Sequence, residues 1–177
     1  MPEIISFGSG EQPLRDWAAK MASILPEELK GGPYDIYMNT LAKEGIYTEG
    51  YELSKTNDDT KLWKRRKRPK IKECYANAQM FVIDMFFEKH KEATYYEGLC
   101  NNGIMPFDHA WVVFEGKLYD FTLEAGRKYD DSLAEYLGIP FPRVFVAQVC
   151  HDTGHHMPVA QHYFAKQLKK HKKKKPR

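Results

Sequence analysis

The chain has 177 residues, 42% hydrophobic and 14% aromatic, which suits one domain with a buried core and excludes a disordered body. Its net charge of +3 hides an asymmetry: residues 61–72 and 166–177 each carry eight Lys or Arg and no acids, and the other eleven cations face 24 Asp+Glu, leaving −13 on the rest. The best apolar run, Met80 to Phe87, is broken by Asp84 and falls far short of the ~20 residues that a helical membrane span needs.

The N-terminal part, residues 1–70, reads as short helices joined by breakers. Leu14 to Leu25 is stopped by Pro26, and Tyr34 to Lys43 follows Gly31-Gly32-Pro33. Gly45 to Thr60 shows no period and reads as irregular structure; Pro69 closes the basic run. From Cys74 to about Lys89, Ala78, Phe81, Val82, Met85 and Phe86 recur at helical spacing. Strands follow at Ala93 to Leu99, His109 to Phe114 and Lys117 to Thr122, the last two joined by Glu115-Gly116. A last strand is predicted over Arg143 to Val149, then a His-containing loop and a terminal helix. Residues 166–177, a basic tail without apolar periodicity, are predicted to be disordered. The result is an α+β class, with one domain over 1–165 and its core in 71–165.

The start of the sequence lacks the basic and apolar regions of a signal peptide, and Cys74, Cys100 and Cys150 are an odd set without tight spacing. Both features point to free thiols in a reducing, cytoplasmic compartment.

Cys74 opens its helix, where unpaired N–H groups and the positive end of the helix dipole meet, and Lys70 and Lys72 add positive potential. Such a setting favours a thiolate and supplies an N–H for an oxyanion. The hairpin adds a partner. With a two-residue turn at Glu115-Gly116, Phe114 faces Lys117, Trp111 faces Asp120 and His109 faces Thr122. His109 and Asp120 then project to one face as diagonal neighbours, roughly 7–8 Å apart at the backbone and within reach of a side-chain hydrogen bond. The carboxylate can hold the imidazole in one tautomer while the other ring nitrogen takes the thiol proton.

The residues Glu-Cys-Tyr-Ala-Asn-Ala, Tyr-Tyr-Glu-Gly and His-Ala-Trp with Gly-Lys-Leu-Tyr-Asp-Phe-Thr resemble the core of the transglutaminase-like, papain-like cysteine superfamily, especially small bacterial and phage proteins built on it. The resemblance spans residues 73–122, under a third of the chain. It implies Cys74 as nucleophile, His109 as general base and Asp120 as orienting acid, with the Cys helix packed on an antiparallel sheet. Two features depart from the pattern: Phe121 stands where a Pro often follows the Asp, and no Arg-Gly-Gly precedes Cys74. For a side-chain oxyanion donor upstream of the Cys, Asn39 and Trp63 are the candidates. The resemblance also makes Glu97 a candidate substrate contact, the alternative being a strand cap. Trp111, on the His109 face, is a candidate wall of the cleft, with a buried core role the commoner one for such a residue, and Tyr75 beside Cys74 is a further substrate-binding candidate.

Cys150, His151, Asp152, His155 and His156 lack the paired spacing of a zinc site and read as a polar loop, so no metal is assigned. Lys64, Arg65, Arg66, Lys67 and Arg68, with the basic tail, are the places where nucleic acid or an acidic partner could bind. Two functions follow. One is a cysteine acyl-transfer enzyme acting on protein or peptide-like amides (hydrolysis, deamidation or transamidation) without a cofactor; the other is a catalytically silent binding module that uses its basic patches.

Overall fold

The computed structural model describes residues 8–49, 58–126 and 134–173. Seven α-helices and one five-stranded antiparallel sheet lie within them. Among the described residues, no helix is long and apolar enough to cross a membrane.

Helix α1 (Glu11–Ser23) buries Leu14, Ala18 and Ala22, one residue per turn, against α2 (Pro33–Glu44), which buries Tyr37, Met38 and Leu41. Arg15 joins the two, donating to the carbonyls of Ala42 at 2.9 Å and Gly45 at 2.7 Å. Both ends of the stretch from Gly45 to Thr60 belong to regular elements that its sequence does not suggest. Ile46–Glu49 forms β1, and α3 (Asp58–Lys67) begins within it; the residues between lie outside the described set. Thus a strand from the N-terminal seventy residues joins the same sheet as the rest.

Helix α4 (Cys74–Lys89) follows the apolar period, burying Ala78, Phe81, Val82 and Met85, and packs on β2 (Ala93–Asn101) and β3 (Pro106–Phe114). The β3–β4 hairpin has the predicted register: Phe114 pairs with Lys117, Val113 with Leu118 and Val112 with Tyr119. Glu115 and Gly116 both take positive φ, 51° and 74°, as a two-residue turn matched to the strand twist requires. Strand β4 (Lys117–Tyr119) is shorter than predicted and never reaches Thr122. Asp120 ends it by accepting the N–H groups of Thr122 and Leu123, each at 3.0 Å, so the chain turns into α5 (Phe121–Gly126).

The strand predicted at Arg143 to Val149 is instead helix α6 (Arg143–Thr153), and the strand lies just before it, at β5 (Glu135–Phe141). Val144 and Val146 suggest alternation, yet Val144 is 67% exposed, whereas Val146 and Val149, three apart, are buried. Packing of that helical stripe on α4 overrides the β preference of valine. Helix α7 (Ala160–Lys173) takes in most of the segment expected to be a disordered tail.

The sheet order is β1-β5-β2-β3-β4. One face carries the main core against the helices, including Tyr95, Leu99, Val112, Phe114 and Leu137. The other carries a smaller cluster with Cys100, Trp111, Leu118 and Tyr136. The absence of a side chain at Gly138 makes room for Trp111: a Cβ there would lie 2.3 Å from its indole.

Candidate active site

Cys74, half-buried, is the first residue of α4; Glu73 precedes it as N-cap with no side-chain bond to the helix N–H groups, and Lys72 enters at φ 65°. Cys74 lines a cavity of about 550 Å³ together with Ile71, Lys72, Asn102, His109 and Leu123. The nucleophile expected from the sequence and its expected base thus line one cavity.

His109 Nε2 lies 2.6 Å from Asp120 Oδ2, and both side chains are buried. The sheet register and the cap of α5 act together here. Pairing brings Asp120 beside β3, and its Oδ1 accepts two backbone N–H groups, which fixes the carboxylate plane. Oδ2 faces the ring and also accepts the Tyr136 hydroxyl at 2.9 Å. The carboxylate therefore has four partners and leaves no charge uncompensated in an apolar setting.

The electrostatics follow from that geometry. Burial pulls the His109 ring toward the neutral form, but the charge and hydrogen bond of Asp120 outweigh it. The Cys74 sulfur adds to the rise, and the ring is pushed up to about 10. Burial pushes Asp120 up, while His109, the Leu123 N–H and the Tyr136 hydroxyl hold it below the usual carboxylate value. Cys100 is fully buried, and burial followed by the Asp120 charge drives its thiol well up; burial also raises Cys150.

Other expected residues fall elsewhere. Glu97 lies on the opposite sheet face from His109, under the start of α7, where it accepts the N–H groups of Val159 and Ala160 and the Tyr95 hydroxyl. It caps a helix and does not line the cavity. Trp111 shares the His109 face, but it is 2% exposed and packs against Tyr96 and Tyr136. Tyr75, half-buried, borders the main core, and burial, then Glu97 and Cys74, raise its hydroxyl. Neither oxyanion candidate reaches the cavity. Asn39 bonds to Asp35 on the exposed side of α2, and the Trp63 N–H donates to Asp84 at 2.8 Å inside the core.

Two residues passed over in the sequence hold the site together. Asn77, on the first turn of α4, is 1% exposed; its Nδ2 donates to the Lys70 carbonyl at 2.7 Å and to Thr122 Oγ1 at 2.8 Å. Tyr136, the partner of Asp120, sits on a strand that the sequence does not reveal. An Asn three residues after a helix-start Cys was visible as a pattern, but a polar residue on a helix gives no sign of which backbone it braces.

The His-rich segment divides. His151 and Asp152 end α6, exposed, while the Cys150 sulfur donates to Gln79 Oε1 at 3.2 Å and lies 3.6 Å from His156 Nδ1. Among the described residues, no cluster of three or more His, Cys, Asp or Glu is placed to hold a metal.

No family model, no curated protein and no solved structure matches the chain.

Proposed function

We propose that the chain is a cysteine-dependent acyl-transfer enzyme with a transglutaminase-like, papain-like arrangement. In this reading Cys74 is the nucleophile, His109 the acid–base and Asp120 the orienting carboxylate. The observation that carries it is the 2.6 Å contact of His109 Nε2 with Asp120, at the wall of the cavity that Cys74 also lines.

The steps follow from which ring nitrogen is free. Asp120 engages Nε2, leaving Nδ1 for the sulfur. The thiolate is the attacking form, and His109 is the group that carries the proton. The thiolate adds to an amide or ester carbonyl, and the oxyanion is met by N–H groups at the start of α4. As the C–N or C–O bond breaks, His109 gives its proton to the leaving amine or alcohol, and a thioester remains. Neutral His109 then takes a proton from water or an incoming amine, which attacks the thioester and returns the thiolate. Hydrolysis, deamidation and transamidation share these steps, and no cofactor is needed. Three free thiols suit a reducing compartment such as the cytoplasm.

The test is capture of the intermediate. The protein is mixed with a panel of activated esters and thioesters, quenched in acid and mapped by mass spectrometry. An acyl group on Cys74, absent in Cys74→Ala and slowed about a thousandfold or more in Asp120→Asn, is the expected result. Acylation spread over lysines and unchanged in Cys74→Ala refutes it.

A further inference from the structure

The two basic runs have different fates in the fold. On α3, three cations of the run meet acids of neighbouring helices: Lys64 with Glu124 at 2.7 Å, Arg66 with Glu88 at 2.7 Å and Lys67 with Asp84 at 3.0 Å. That run is largely neutralised in place and helps dock α3 on α4 and α5.

The second run is not. Lys166, Lys169 and Lys170 of α7 are exposed and make no ion pair among the described residues. The sequence holds no Asp or Glu after Asp152, while Lys172, Lys173, Lys174, Lys175 and Arg177 continue the charge. A shallow groove of about 350 Å³ runs between α6 and α7, with His162, Lys166 and Lys169 among its walls. Asp152 stands across it, already taken up by Gln148 at 3.1 Å and His151 at 3.2 Å. Lys166 is steadied over the Phe145 ring at 5.4 Å.

We propose that this face of α7 binds the phosphodiester backbone of a nucleic acid. The chemistry of the face selects that partner. Docking of an acidic protein relies on apolar or aromatic anchors at the centre of the contact, and none of the large apolar side chains exposed among the described residues lies on α7. Phosphate contacts need cations alone, released counterions supply the driving force, and sequence plays no part. The inference stands apart from the chemistry at Cys74.

The full-length protein is titrated into short fluorescein-labelled DNA and RNA duplexes, with anisotropy read at several salt concentrations. Binding should weaken steeply with salt. Joint Lys166→Gln, Lys169→Gln and Lys170→Gln substitution should lower affinity at least about tenfold and reduce the slope of log affinity against log salt by roughly 3. The matching Lys→Arg triple should bind like the wild type, which separates charge from folding. Arg65→Gln with Arg68→Gln on the α3 run should change affinity by no more than about twofold. Tighter binding of one polymer identifies the source of the phosphates. The proposal falls if neither duplex binds at low salt, if the Gln triple binds as well as the wild type, or if polyglutamate binds more tightly than both duplexes.

Discussion

Asn77 Nδ2 donates to Thr122 Oγ1 at 2.8 Å, and the N–H of Thr122 is in turn accepted by Asp120 Oδ1 at 3.0 Å. The helix that presents Cys74 and the corner that presents Asp120 are therefore joined through one buried amide. The same amide holds the Lys70 carbonyl at 2.7 Å, so it also sets how the chain enters α4. Asn77→Ala strands buried polar groups on both sides, at a cost of about 1–3 kcal/mol in denaturant unfolding. On the proposed mechanism, acylation of Cys74 should fall in the folded variant as well, because the helix of Cys74 and the corner of Asp120 lose their common brace. Unchanged acylation with a large stability loss would make Asn77 purely structural.

In the proposed reaction Tyr136 acts through Asp120. Its hydroxyl shares Oδ2 with the His109 ring, withdrawing charge from the carboxylate. In Tyr136→Phe the carboxylate is a stronger acceptor, and the His109 ring should hold its proton to still higher pH. The stability cost should be about 1.5–3 kcal/mol, the range for hydrogen bonds to charged groups. Imidazole NMR titration reads the effect directly: an upward move of the His109 transition is expected, and a downward one contradicts it.

Three buried groups set a pH dependence of stability. Burial lifts Glu97 to about 7 despite its bonds from Tyr95, Val159 and Ala160, and His109 is lifted to about 10. A raised folded pKa gives stability that is complete below the unfolded value and lost as pH climbs through the folded one. Glu97 thus loses its part between 4.5 and about 7, and His109 between 6.5 and about 10. Asp120 has the opposite sign: its contribution is complete above 3.8 and lost as pH falls below that value. Together they favour a melting temperature that is highest at about pH 4 and declines toward about pH 10. Glu97→Gln should flatten the first part of that decline. A melting temperature that rises across the same interval would contradict the assignment.

Local signals were read correctly where one element decides the outcome. The α4 period, the two-residue turn at Glu115-Gly116 and the register that aims His109 and Asp120 to one side depend on neighbours in sequence. Sequence and fold diverge where distant packing decides. Val144 to Val149 looks like a strand until α4 is present to bury Val146 and Val149. No strand is predicted over Glu135–Phe141, where Gly138 and Pro140 interrupt any pattern, yet Gly138 is needed because Trp111 lies over it. Glu97 reads as a substrate contact or a strand cap through the resemblance, and only the fold brings the start of α7 to its carboxylate. Lys64, Arg66 and Lys67 read as free charge until Glu124, Glu88 and Asp84 are placed opposite them.

The most direct test of the central claim compares the three thiols within one molecule. Iodoacetamide labelling at neutral pH is followed peptide by peptide. Cys100 is sealed in the smaller core cluster and Cys150 is raised by burial, so both should label slowly. Cys74 borders the open cavity that His109 also lines; on the proposed mechanism it should label at least about tenfold faster, an advantage that His109→Ala should remove. Equal, sluggish labelling of all three, or a fast Cys74 indifferent to His109→Ala, would contradict the account.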